Sequence, residues 1–128
     1  MIKQIPSKDL EKFIKENPSS ILLDVRTEEE WNMVGKPSGK KFKIKTYFIS
    51  LLKGVQRIKN DNFVHDVNSK KISKEDPILV ICRSGQRSQM AATLLQQEGY
   101  KNCINISDGF EGNVNVGLGW KNSNLPVE

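Results

Sequence analysis

The chain reads as an α/β domain with a mainly parallel central sheet and helices on both faces. Three observations predict this class. Ile21-Leu22-Leu23 and Ile78-Leu79-Val80-Ile81 are short, wholly apolar runs, the form of strands covered on both faces. Helical patterns alternate with them, as crossover connections between parallel strands require. Each run leads into a residue with chemistry to offer, Asp24 and Cys82, and ligands of open parallel sheets bind beyond the strand carboxyl ends. The pattern therefore brings Asp24 and Cys82 to the same end of the sheet.

Taken in order, Lys3-Gln4-Ile5 reads as a short edge strand. Ser7 is placed to cap a helix running to about Lys15, with Leu10, Phe13 and Ile14 as its apolar stripe. Asn17-Pro18-Ser19-Ser20 breaks that helix. The strand Ile21-Leu22-Leu23 follows and finishes at Asp24-Val25-Arg26. Thr27-Glu28-Glu29-Glu30 has the form of a capping box, with Thr27 as N-cap and Glu30 three residues on, and opens a short helix carrying Trp31. Gly35, Pro37 and Gly39 mark a loop. Phe42, Ile44 and Thr46 alternate with lysines in the manner of a half-buried strand. Ile49 to Ile58 and Asn62 to Val67 read as short helices. Asp76-Pro77 turns into the strand Ile78 to Ile81, and the next helix spans Gln86 to Glu98. Met90, Ala91, Leu94 and Leu95 line one face of it, and Gly99 is its stop. Cys103 to Ile106 is a further strand, Ser107-Asp108-Gly109 a turn, and the remainder a tail rich in Gly and Asn.

The 128 residues are sized for one domain over 1–128, and 37% hydrophobic with 27% charged residues is a soluble globular composition. No apolar run approaches the length of a membrane span. None follows Met1-Ile2-Lys3-Gln4 as a secretory signal would. A cytoplasmic protein with no membrane partner is expected. Two cysteines, Cys82 and Cys103, make no disulfide framework. With His65 as the sole histidine, no Cys/His zinc site assembles without carboxylates; neither metal nor cofactor is expected. The net charge of +5 is densest at Lys36, Lys40, Lys41, Lys43 and Lys45, without the aromatic series that stacking on bases requires. It reads as a solvated basic surface that helps draw in small anions, not as a nucleic-acid site.

The sharpest feature is Cys82-Arg83-Ser84-Gly85-Gln86-Arg87-Ser88, set between an apolar strand and an amphipathic helix. A helix N-terminus presents unpaired N–H groups and partial positive charge, so it favours an anion. A cysteine there is inclined to the thiolate and to act as a nucleophile, and Arg83 and Arg87 push the same way. The amides of residues 83 to 87 are placed to form an anion nest, with Gly85 supplying the freedom such a turn needs. Ser84 and Ser88 offer hydroxyls to the sulfur or its substrate, although Ser88 also fits plain packing in the first helical turn.

These residues resemble the rhodanese-like sulfurtransferases, specifically their single-domain members. Leu23-Asp24-Val25-Arg26 with Glu30-Trp31 matches, as does Ile81 to Ser88 with Ala91-Ala92, Leu95 and Gly99-Tyr100. Asn105 to Gly112, Gly119-Trp120 and Leu125-Pro126 complete the likeness. Where many members carry Gly-His-Ile-Pro-Gly-Ala, this chain has Val34-Gly35-Lys36-Pro37-Ser38-Gly39. The resemblance implies a rhodanese-like five-stranded sheet and a catalytic Cys82 that takes a sulfane sulfur as a persulfide. The donor would be thiosulfate or a persulfide, and the acceptor a thiol, cyanide or a sulfur-accepting protein. Arg83 and Arg87 would orient the donor or hold the loop through carboxylates, with Ser84, Gly85, Gln86 and Ser88 completing the binding loop. Asp24 would be a loop partner, and Arg26 beside it a supporting residue.

Three rivals stand against this reading. Cysteine-dependent phosphatases and arsenate reductases of related fold separate Cys and Arg by five residues, whereas four lie between Cys82 and Arg87. A non-catalytic sulfur-carrier or regulatory module would keep the fold without turnover. A cysteine–histidine hydrolase would need His65, which sits in a polar stretch and reads as a surface residue. Cys103 reads as a buried strand residue rather than a resolving thiol, and Trp31 and Trp120 as core or lid residues.

Overall fold

The computed structural model describes residues 2–112 and 114–128. In chain order the strands are β1 (Lys3–Ile5), β2 (Ile21–Asp24), β3 (Thr46–Phe48), β4 (Leu52–Lys53), β5 (Ile58–Lys59), β6 (Ile78–Ile81) and β7 (Cys103–Ile106). The α-helices are α1 (Leu10–Glu16), α2 (Glu28–Val34), α3 (Phe63–Asn68) and α4 (Gln86–Gln97). Five strands make a sheet in the order β1-β7-β6-β2-β3, and every pairing in it is parallel. Among the described residues, no helix is long and apolar enough to cross a membrane.

Alternation within the buried strands sorts the core into two halves. Ile21 and Leu23 of β2, Ile78 and Val80 of β6 and Cys103 of β7 pack with Phe63 and Val67 of α3 and Ala91, Ala92 and Leu95 of α4. Leu22, Leu79, Ile81, Ile104 and Ile106 point the other way, against Leu10 and Ile14 of α1 and against Phe110, Trp120 and Leu125. An all-apolar strand is what this demands, since each residue meets a covered face. The mainly parallel α/β reading of the sequence is thus the architecture of the molecule, with β6 at the centre of the sheet.

Three local expectations give way. Ser7 does not cap α1 with its side chain: Ser7–Asp9 forms a 3-10 turn, and the Ser7 amide and hydroxyl both donate to Asp108 Oδ1 at 2.9 Å. That contact ties the end of β1 to the turn after β7. Phe42, Ile44 and Thr46 are not one strand, because Lys40–Phe42 is a 3-10 turn and Lys43 takes φ +59°. The loop closes on itself through Gly39 N–H to Thr46 Oγ1 at 3.1 Å, and β3 begins only there. The stretch 49–58 is extended rather than helical. Ile49 and Leu51 donate to the carbonyls of Asp24 and Val25, and β4 and β5 then form an antiparallel hairpin. Gly54 (φ +76°) and Arg57 (φ +54°) turn it, a bend no helix survives. The helix expected over 62–67 is present as α3.

Candidate functional site

Strand parity aims Cys82 before any loop geometry is considered. It continues the Ile78, Val80 series and therefore faces α4, whose N-terminus lies directly after the loop. The turn into α4 is made by Gly85 at φ +104°, and a Cβ there would lie 2.4 Å from the Ser107 carbonyl oxygen. Only glycine fits. Gly109 permits the matching approach from the other side, where a Cβ would lie 2.3 Å from the Arg83 carbonyl oxygen. The loop after β6 and the turn after β7 consequently stack. Phe110 N–H donates to Cys82 O at 2.7 Å and Glu111 N–H to Arg83 O at 3.1 Å.

Cys82 is 1% exposed and its sulfur is roofed by a loop in which Arg83, Ser84 and Gln86 face solvent. The Gly85 N–H donates to Cys82 Sγ at 3.1 Å, and Ser88 Oγ lies 3.2 Å from the same sulfur. Of the amides expected to form a nest, Gly85 is the one within hydrogen-bonding reach of the sulfur among the described residues. Behind Ser88 stands Asn105, which is 3% exposed. The Ser88 hydroxyl donates to Asn105 Oδ1, while Asn105 Nδ2 donates to Gly85 O at 3.1 Å and to Gln4 Oε1 at 2.8 Å. A hydroxyl has one proton to give. With that proton on Asn105, the Ser88 oxygen meets Cys82 as an acceptor of the thiol S–H. A sulfur carrying negative charge would need the hydroxyl to swing toward it.

Charge around the loop is closely matched. Arg87, 7% exposed, makes a two-pronged contact with Glu30, Nη1 to Oε1 at 2.6 Å and Nη2 to Oε2 at 2.8 Å. Glu30 also closes the capping box on Thr27, accepting from its amide and hydroxyl at 3.1 Å. Burial alone would raise the Glu30 carboxyl. The hydrogen bonds from Arg87 and Thr27, with the Arg87 charge, outweigh it and hold the pKa at about 2. Burial works against the Arg87 charge too, but Glu30, helped by the Asp24 charge and by Cys82 when ionised, keeps that guanidinium above its ordinary value. Arg57 reaches Glu30 Oε1 at 3.6 Å from the hairpin. Arg83, on the solvent side, pairs through Nε with Glu111 Oε2 at 3.2 Å.

Asp24 and Arg26 lie at the same end of the sheet but on the other face, since Asp24 shares the parity of Leu22. They pair with each other, fully buried, at 2.8 Å. Arg26 also donates to the Gly35 carbonyl at 2.9 Å and lies over the Phe110 ring, 4.2 Å from its centroid. The carboxylate that hydrogen-bonds Arg87 is therefore Glu30, and Asp24 instead braces the chain leaving β2. Glu30, Asn105 and Glu111 were not among the expected site residues. Asn105 had a signal: it is the polar interruption in Cys103-Ile104-Asn105-Ile106, on the parity of Cys103. Glu30 is legible in the sequence as a helix cap and as part of the Glu30-Trp31 match, neither of which points to Arg87. Of the remaining candidates, His65 is exposed on α3, Trp120 is fully buried, and Trp31 packs edge-on against Phe48.

A parallel sheet whose central strand delivers a cysteine into the turn of a following helix, with four residues between Cys82 and Arg87, is the arrangement of the rhodanese-like class. Comparison with known proteins agrees. A family model described as the STR4 middle domain matches residues 5–128. The uncharacterised protein RP600 of Rickettsia prowazekii (strain Madrid E) is 49% identical over 112 residues, 86% of this chain and 84% of that protein. Thiosulfate sulfurtransferase 18 of Arabidopsis thaliana is 34% identical over 105 residues, 82% of this chain and 69% of that protein. The crystal structure of Rv0390 from M. tuberculosis superposes with a TM-score of 0.86 at 29% identity, covering 98% of this chain and 96% of that one. The chain belongs to the rhodanese-like family, within the group described by the STR4 middle domain.

Proposed function

We propose that this protein is a sulfurtransferase that moves a sulfane sulfur from an anionic donor to a thiophilic acceptor through a persulfide on Cys82. The observation carrying this reading is the Gly85 N–H held on Cys82 Sγ, in a loop whose neighbours leave no room for a side chain at residue 85. In the first half-reaction the Cys82 thiolate attacks the outer sulfur of R–S–S⁻, forming Cys82–S–S⁻ and releasing RS⁻. With thiosulfate the leaving group is sulfite. In the second, a thiolate or cyanide takes the outer sulfur and the Cys82 thiolate returns. The attacking thiolate and the persulfide each carry one negative charge, so one set of donors serves both. Gly85 N–H supplies a fixed donor and the Ser88 hydroxyl a rotatable one. Similarity to a thiosulfate sulfurtransferase supports the donor class. A reducing, cytoplasmic setting belongs to the same reading, because the cycle needs Cys82 as a free thiol.

The test is mass spectrometry of the protein after thiosulfate, with cyanide added afterwards. Wild type should gain one sulfur on Cys82 and surrender it as thiocyanate, and Cys82→Ser should do neither. Turnover of p-nitrophenyl phosphate without any sulfur gain would replace this proposal with a phosphatase. That outcome is disfavoured by Arg87, whose fork is already filled by Glu30.

A further inference from the structure

We infer that Glu111 is a specificity-determining residue: by holding Arg83 it makes the site favour singly charged sulfur donors over doubly charged ones. This rests on the sulfurtransferase reading above and refines its donor. The argument is a charge count around the loop roofing Cys82. Of the two loop guanidinium groups, Arg87 is committed to Glu30 by two short bonds and is nearly buried. Arg83 is the exposed one, with 60% of its side chain open to solvent, adjacent in sequence to Cys82, and its Nε is taken by Glu111 Oε2 at 3.2 Å. Arg57 adds a cation at Glu30 from the hairpin, but at 3.6 Å it too leans on a carboxylate.

Glu111 is not there by chance of a mobile side chain. Its own amide donates to the Arg83 carbonyl at 3.1 Å, its carbonyl accepts from Asn122 Nδ2 at 3.0 Å, and the Gly109 turn presses that segment against the loop. Backbone and side chain of Glu111 thus grip backbone and side chain of Arg83. A donor entering above Cys82 meets a guanidinium already half-neutralised, together with the carboxylate that neutralises it. Coulomb energy is linear in the charge of the entering group. A dianion such as thiosulfate therefore suffers twice the penalty that a monoanionic persulfide does.

That factor of two is the measurable signature. Thiosulfate and the methanethiosulfonate anion both deliver a sulfane sulfur to a thiolate, releasing sulfite and methanesulfinate respectively, and differ by one charge. In Glu111→Gln, kcat/KM should rise about threefold for methanethiosulfonate and about tenfold for thiosulfate, the size expected for an exposed pair, with the logarithms in a ratio near two. Arg83→Gln should lower both in the same two-to-one pattern. The double variant should return the donor ratio close to wild type, which a merely structural role for Glu111 would not do. High ionic strength should shrink every one of these changes. Equal shifts for the two donors, no shift, or a double variant as impaired as Arg83→Gln would overturn the inference while leaving the sulfurtransferase reading intact. Failure of wild type to load sulfur from either donor would overturn that reading itself, and this one with it.

Discussion

Cys82 and Cys103 make an instructive pair. Both are buried and project to the same face of the sheet, Cys82 directly after β6 and Cys103 at the start of the neighbouring β7. Register pairs Cys103 with Ile78, four positions before Cys82, so about 13 Å of strand separates them. Their surroundings have little else in common. Cys82 receives an amide N–H and faces a hydroxyl, while the Cys103 thiol donates a long 3.6 Å contact to the Tyr100 carbonyl. Burial pushes the Cys103 thiol up to about 11. Parallel strands make the two ends of a sheet chemically unequal: the carboxyl ends run into helix N-termini, and the amino ends do not. Four residues along the chain decide between a sulfur offered an amide N–H and one that is only core.

The strongest way to break the contrast is to spoil the Cys82 end at Gly85. A methyl group there must accept a left-handed backbone, at about 1–2 kcal/mol, and overlap the Ser107 carbonyl, at about 1–3 kcal/mol more. Gly85→Ala should therefore lower stability by about 3 kcal/mol in urea unfolding. The surviving folded fraction should load sulfur poorly, because the displaced amide is the one aimed at the sulfur. Normal loading at full stability would mean the Gly85 N–H does nothing for Cys82.

Next in size is Glu30→Gln, which strips the charge from the partner of a nearly buried guanidinium. Breaking such a pair costs about 2–4 kcal/mol, because Arg87 keeps its charge without compensation. The loss depends on pH with a definite sign. Glu30 has its pKa held down at about 2, so its contribution is complete above the ordinary carboxylate range and disappears as pH falls from about 4.5 toward 2. The stability gap between wild type and Glu30→Gln should be widest near neutrality and close in acid. A gap that stays constant to pH 2 would show that Glu30 acts only as a helix cap.

The same contrast shows what the sequence discloses. Apolar runs and their polar ends reveal β2, β6 and α4 and place Cys82, since alternation and helix-capping are local effects written in adjacent residues. Thr27 and Glu30 are legible as a capping box for that reason. What escapes is the long-range pairing. Nothing local says that Glu30 meets Arg87, 57 residues away, or that Ser88 meets Asn105. The segment 39–59 misleads because its apolar residues are spaced by a 3-10 turn, a left-handed Lys43 and a hairpin. None of these has a fixed period to read. Ser7 misleads for a related reason: its hydroxyl, expected to accept a helix N–H, instead donates to Asp108, which only the folded chain supplies.

The smallest effect should come from Cys103→Ala, and its smallness is informative. Removing one buried sulfur from a strand start costs about 1 kcal/mol in lost packing, and sulfur loading should be unchanged within error because Cys103 lies at the wrong end of the sheet. The alkaline side sharpens the point. A thiol whose folded pKa is raised contributes stability that is whole below the ordinary thiol range and is lost as pH climbs toward about 11. Wild type should lose an increment of stability over that window that Cys103→Ala does not, so the gap between them narrows as pH rises. Iodoacetamide near pH 8 should in turn label native wild type at most once and native Cys82→Ser not at all. A second label on the folded protein, or a loss of sulfur transfer in Cys103→Ala, would mean that the amino end of the sheet also has a working thiol and that strand direction alone does not separate the two.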